Sequence, residues 1–201
     1  MVSPHLDLLW QGIAPDPLQI AKKLNIQLTQ NEIGFYQQYQ SSAVIPKDTS
    51  HVYGEICRSG VYQIFEYISK NCGSIKTIYD IGSGIGRLSI HLALLVECQV
   101  IGVEIDKLRH LWSKHLQQSI GVGNLEFIRA DIRDIDISKA DLIISNDVVF
   151  DRNLVDQITE KIPNGCHIIS FEENGLGLIN HLELAVSWMD RPIPFRHTQK
   201  K

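Results

Sequence analysis

The stretch Asp80-Ile-Gly82-Ser-Gly84-Ile-Gly86-Arg87 has the residue types and spacing that point most directly to chemistry. It lies between an apolar run and a segment with helical apolar spacing, where a parallel sheet binds ligands at the carboxyl ends of its strands. Glycines let the backbone turn sharply there and approach a ligand that a Cβ would push away. Glu104 ends the next apolar run, a position from which a carboxylate accepts hydrogen bonds from both hydroxyls of a ribose. Two cofactors compete for this arrangement. Dinucleotide enzymes use GxGxxG and set a pyrophosphate on the helix start, whereas the spacing here is GxGxG, preceded by Asp80. An acidic group at the strand end repels a pyrophosphate and suits a cationic amino group, such as that of the methionine part of S-adenosylmethionine. The sulfonium cofactor is therefore expected, held by Asp80, Gly82, Gly84 and Glu104. Asp131, after the third apolar run, is placed to accept a bond from the adenine amino group, with capping of a turn as its competing use.

These residues need a scaffold, and the apolar pattern supplies one. Strands are expected over 77–80, 99–103, 125–129, 141–145 and 167–171, and helices over 86–96, 107–120 and 152–161. Ile56, Val61, Ile64, Phe65 and Ile68 fall at helical spacing ahead of them. Strands alternating with helices of this length predict an α/β fold, a parallel Rossmann-like sheet wrapped on both faces. Runs over 181–188 and 193–197 break the rhythm and read as a closing β-hairpin. Before the regular part, Asp16-Pro17 opens a helix reaching residue 24, a second helix covers 31–40, and 41–50 reads as a loop. Residues 1–50 are thus expected to form a small helical extension or lid, and 51–201 the catalytic domain.

Composition narrows the function classes. The 201 residues are 44% apolar and 21% charged, with 19 Lys and Arg against 23 Asp and Glu, which argues against disorder and against a general nucleic-acid surface. Strong nucleic-acid binding is not expected. The longest apolar stretches fall far short of the ~20 residues of a membrane helix. Residues 1–19 show no basic start followed by an apolar core, so a cytoplasmic location is expected and no membrane partner. Cys57, Cys72, Cys98 and Cys166 lack CxxC spacing, and His91 and His115 read as surface or half-buried residues without a third ligand at metal spacing. No metal is expected.

Several motifs resemble the Dot-one-like lysine methyltransferases, the non-SET enzymes named for disruption of telomeric silencing. Val52-Tyr53-Gly54-Glu55 is similar to the YGE loop that precedes their domain, and DIGSGIGR is similar to their DLGSGxGQ. Ser145-Asn146-Asp147-Val148-Val149-Phe150 stands where they carry an NNFAF-like motif, and Val186-Ser187-Trp188-Met189-Asp190-Arg191-Pro192 resembles their VSWTGKP hairpin. The resemblance covers residues 52–199. It implies the seven-stranded methyltransferase sheet and a cofactor site at Glu55, Asp80, Gly82, Gly84, Glu104, Asp131 and Asn146, with Tyr53 helping to close the loop over the cofactor. It also implies an apolar channel for a substrate lysine, with Trp188, Ser170 and Phe195 at the matching positions. The sequence departs from the family pattern at Asp147 and Val148, at Ser170-Phe171-Glu172-Glu173, and at Phe195, where a Tyr would be expected.

The implied activity is methyl transfer from S-adenosylmethionine to a lysine ε-amine of a protein substrate. The alternatives are a small-molecule or RNA methyltransferase of the same fold, or a cofactor-binding partner protein without catalysis. Trp188, Phe171, Phe150 and Phe195 are candidate walls of the channel, against plain core packing. Asp147, Glu172 and Glu173 could draw a basic substrate to its mouth.

Overall fold

The computed structural model describes residues 4–11, 15–41 and 54–201. After α1 (Pro4–Leu9), Asp16 opens α2 (Pro17–Lys23) by accepting the Gln19 amide at 2.9 Å, with Pro17 in the first turn. Next comes α3 (Gln30–Ser41). The rest of the expected 41–50 loop lies outside the described residues. In α4 (Arg58–Asn71), Val61, Ile64 and Ile68 bury one stripe, as their spacing predicts. Ile56 precedes the helix and makes an isolated antiparallel bridge to Val186.

The alternation then runs β1 (Thr77–Ile81), α5 (Arg87–Leu95), β2 (Gln99–Glu104), α6 (Lys107–Ile120), β3 (Leu125–Arg129), β4 (Leu142–Ser145), α7 (Arg152–Lys161) and β5 (His167–Ser170). A single 3-10 turn at Ile132–Asp134 separates β3 from β4. Asp106 and Asp151 cap α6 and α7 by accepting the amides of Arg109 and Leu154. The chain closes with β6 (Leu178–Leu184) and β7 (Ile193–Gln199), an antiparallel pair. The hairpin is therefore present with shifted bounds: its first strand starts and ends earlier than the 181–188 run. Val186 leaves β6 to bridge Ile56 instead.

The seven strands lie in the order β3-β2-β1-β4-β5-β7-β6, with β1 to β5 parallel and β7 antiparallel to both neighbours. Successive crossovers leave β1 in opposite directions, so the carboxyl ends of β1 and β4 form the switch point where such sheets bind ligands. Leu142, Ile143 and Ile144 of β4 are all buried, because helices cover both faces. One core layer joins Ile64 and Ile68 of α4 to Leu92 of α5, and takes in Leu6 and Leu9 of α1. The other packs Ile158 of α7 on Tyr79, Ile81 and Ile143. Ile20, Ala21 and Tyr36 of the N-terminal extension pack with Ile85 and Leu108. His91 is fully buried rather than at the surface: it sits among α1, α4 and α5, accepting the Trp10 indole N–H at 3.2 Å and meeting Tyr62 edge-on. No helix among the described residues is long and apolar enough to cross a membrane.

Candidate active site

Between β1 and α5 the backbone makes the turn that the glycine spacing anticipates. Gly82 and Gly84 have φ of 77° and 57°, a left-handed region costly for residues with a Cβ. The amides of Gly82 and Ser83 donate to the Val103 carbonyl at 2.9 and 3.0 Å, tying the loop to the end of β2. Glu104 accepts from the Gly84 amide at 2.8 Å with one oxygen and from the Asp106 amide at 2.7 Å with the other. It thus shapes the loop, while each oxygen keeps a second lone pair for another donor.

Asp80 and Glu104 are both about 4% exposed. Burial, together with the neighbouring Glu104 charge, pushes the Asp80 carboxyl up to about 7, against a 2.5 Å hydrogen bond from Ser89 Oγ that favours the ionised form. Glu104 is pushed up by burial as well, opposed by Arg109 and the two amides. Two buried carboxyls of raised pKa beside an open turn form a site that gains by taking in a cation and hydroxyl donors.

Both line a cleft of roughly 490 Å³ at the switch point, within the range of small-ligand sites. The rim of this cleft brings together three motifs that are far apart in the chain. The Asn146 side-chain N–H donates to the Gly54 carbonyl at 2.9 Å. Trp188 lies so tightly on Gly54 that a Cβ there would fall 2.5 Å from its Cε3 atom. Glu55 and Ser187 exchange backbone and side-chain hydrogen bonds at 2.9 Å. Glu55 also pairs with Arg87 at 3.0 Å, both side chains largely shielded from solvent.

Asp80, Gly82, Gly84, Glu104, Glu55, Asp131, Asn146 and Trp188 therefore share one cleft. Asp131 meets the competing expectation too: it caps the 3-10 turn and holds Arg133 in a two-pronged ion pair, which keeps its carboxyl below the usual range. Tyr53 lies outside the described residues. Ser170 and Phe195 do not line the cleft. Phe195 is fully buried in the core and meets Phe171 edge-on, while Ser170 Oγ donates to the Glu172 carbonyl. Asp147 is not at the mouth either: it is buried and accepts the amides of Phe171 and Glu172 at 2.8 and 3.0 Å, clamping the turn after β4 to the turn after β5. Burial pushes its carboxyl up to about 6. Phe150 does line the cleft, beside Gly82. Arg87, Ser89 and Arg109 escaped the sequence reading, although Arg87 stands where the resembling loop has Gln.

S-adenosylmethionine fits this cradle. Left-handed glycines leave the loop open on the cleft side, two buried carboxyls keep acceptor capacity beyond their present hydrogen bonds, and Asn146 Oδ1 and Ser83 Oγ are buried without a partner among the described residues. A parallel sheet closed by an antiparallel seventh strand, with an acidic glycine turn at its switch point, belongs to the S-adenosylmethionine-dependent methyltransferases. Residues 37–176 match the family model described as histone methylation protein DOT1, and the chain belongs to that family. The matched region takes in the glycine loop, Glu104, Asp131 and Asn146 and ends before the hairpin with Trp188.

Among curated proteins the chain is similar to the ribosomal protein L11 methyltransferase of Alkaliphilus oremlandii, 30% identical over 135 residues, which covers 65% of this chain and 41% of that protein. The corresponding Clostridium perfringens protein is 25% identical over 134 residues, covering 65% of this chain and 41% of its own length. The chain thus spans about two fifths of these relatives. Among solved structures it shares its fold with an RNA methyltransferase from Salinibacter ruber in complex with S-adenosylhomocysteine. That match has a TM-score of 0.59 at 19% identity and covers 73% of this chain and 94% of that one. A putative S-adenosylmethionine-dependent methyltransferase from Methanococcus maripaludis gives 0.54 at 18% identity, covering 71% and 86%.

Proposed function

We propose that the chain transfers a methyl group from S-adenosylmethionine to a lysine ε-amine of a protein. The observation that carries this reading is the meeting of Gly54, Asn146 and Trp188 at one rim of the cleft, since these three come from the motifs that resemble those of the Dot-one-like lysine methyltransferases. The names of the curated relatives, which specify a ribosomal protein, support a protein acceptor. Asp80 and Asn146 would hold the methionine end of the cofactor, Glu104 its ribose and Asp131 its adenine. Bound S-adenosylmethionine supplies an electrophilic methyl carbon.

The chain's remaining task is to present a neutral amine in line with that carbon. A free lysine has a pKa of about 10.4 and at neutral pH is almost wholly protonated, without a lone pair. Trp188, Phe150, Val148 and Val149 give the cleft apolar surface, and an amine entering past them loses the water that stabilises its charge. Positioning and desolvation then replace a dedicated base. The N-terminal extension acts as a cover: the Gln11 carbonyl accepts from Arg87 at 3.4 Å, and the Tyr36 hydroxyl donates to Asp106 at 3.1 Å, just past Glu104.

Incubation with radiolabelled S-adenosylmethionine and a mixed cell extract, with and without nuclease, tests this. Label in protein that survives nuclease is expected. Label confined to nuclease-sensitive material would replace the protein acceptor with RNA, and cofactor binding without any transfer would leave a binding protein.

A further inference from the structure

Three side chains from separate elements meet at the end of the sheet opposite the cleft. Cys72 follows the last turn of α4, His167 opens β5 and His197 stands late in β7. The cleft lies at the carboxyl ends of the parallel strands, so the first residue of β5 is at the far edge. Because β7 runs antiparallel to β5, its late residues arrive at that same edge. His197 pairs with Ile169, two positions on from His167, so both imidazoles leave the same face of the sheet. On this face Tyr67 of α4 meets His197 edge-on.

We propose that Cys72, His167 and His197 bind a zinc ion. Their ligand atoms all lie within 4.8 Å of one another. His197 Nε2 is 3.8 Å from Cys72 Sγ and 2.9 Å from His167 Nδ1. A tetrahedral zinc, with bonds of about 2.3 Å to sulfur and about 2.0 Å to nitrogen, places S and N about 3.5 Å apart and two N atoms about 3.3 Å apart. Small side-chain rotations therefore convert the present cluster into a ligand set. One thiolate with two imidazoles is the donor chemistry that suits zinc, and hard cations such as magnesium find no oxygen ligands in it.

The surroundings orient the ligands. The Tyr67 hydroxyl is 2.8 Å from His197 Nδ1. By accepting a proton bond from Nδ1, it leaves the Nε2 lone pair facing Cys72 and His167, as the partner of a metal-bound histidine does. Without metal, that lone pair takes the His167 Nδ1 proton. On binding, this proton moves to the other ring nitrogen of His167 and the Cys72 thiol proton goes to solvent. Cys72 and His197 are buried, while half-buried His167 marks the way in, and water fills the fourth position. The ion fastens the end of α4 to β5 and β7, a structural role far from methyl transfer.

The test uses the full chain, stripped with a chelator and titrated with Zn²⁺, or with Co²⁺ as a coloured probe. One ion per chain, a thiolate-to-cobalt charge-transfer band, tetrahedral d–d bands and a higher melting temperature are expected. Cys72→Ser removes the charge-transfer band, and Tyr67→Phe keeps it with affinity lowered about 10- to 100-fold. If Cys72→Ser fails to fold, loss of binding in His167→Gln, at the half-buried ligand, takes its place. A cobalt spectrum without thiolate character, or uptake unchanged in these ligand variants, overturns the proposal.

Discussion

Gly54→Ala isolates the contact on which the rim of the cleft depends. A Cβ at this position would stand 2.5, 2.8 and 3.2 Å from three atoms of the Trp188 indole, where carbon contacts settle near about 3.5–4.0 Å. The obstacle is a ring rather than the free end of a flexible chain, so the indole must shift by about 1 Å. It cannot simply retreat. The paired bonds between Glu55 and Ser187 and the Ile56–Val186 bridge hold the two segments together at the next two positions along them. Overpacking of this kind costs about 1–3 kcal/mol. For a chain of this size that lowers the melting temperature by about 2–12 °C. Trp188→Ala removes the obstacle, so in that background Gly54→Ala should cost no more than about 0.5 kcal/mol. Thermal unfolding of the native chain, the two single variants and the double variant, followed by circular dichroism, gives the coupling directly. Additive costs, with Gly54→Ala equally destabilising with and without the indole, would refute the claim that these two motifs are packed on each other.

Three further outcomes follow from the same geometry. Because burial raises the Asp80 carboxyl to about 7, it holds a proton below that pH; a cationic amine requires the ionised form, so cofactor affinity should rise about tenfold per pH unit up to about 7 and then level off. Calorimetric titration with S-adenosylhomocysteine measures this, and Asp80→Asn should bind weakly without the pH dependence; an unchanged profile in the variant would remove Asp80 from the site. Trp188→Ala should lower methyl transfer at least about tenfold while changing S-adenosylhomocysteine affinity far less, and full activity in a folded variant would make Trp188 a packing residue only. Asp147→Ala strands the Phe171 and Glu172 amides and should cost about 1–3 kcal/mol by denaturant unfolding, whereas a neutral effect would mean that water satisfies those amides.

Much of the scaffold was legible because burial of one face leaves a periodic trace. The expected bounds of α6, β3 and α7 coincide with those observed, and the parallel pairing of β1 to β5 follows from alternation, whereas their order in the sheet does not. The glycine loop and Glu104 were legible because turn chemistry is local. What periodicity does not carry is which side of an element faces the cleft. Phe195 and Ser170 stand at plausible positions along their strands, yet both point into packed core or local hydrogen bonds. Asp147 reads as a surface charge, but its two backbone partners lie 24 and 25 residues away, beyond any local pattern. The expectation of no metal rested on spacing within segments, and the Cys72, His167 and His197 cluster assembles only through the antiparallel insertion of β7. His91 illustrates the same limit: its burial depends on Trp10, 81 residues before it.

The most direct measurement labels the acceptor atom itself. Incubation with S-adenosylmethionine bearing a deuterated methyl group and a pool of basic proteins, followed by acid hydrolysis and mass spectrometry, should yield deuterium-labelled methyl-lysine that disappears with Trp188→Ala. Label recovered in another amino acid or in nucleosides, or none from a chain that binds the cofactor, would contradict lysine transfer.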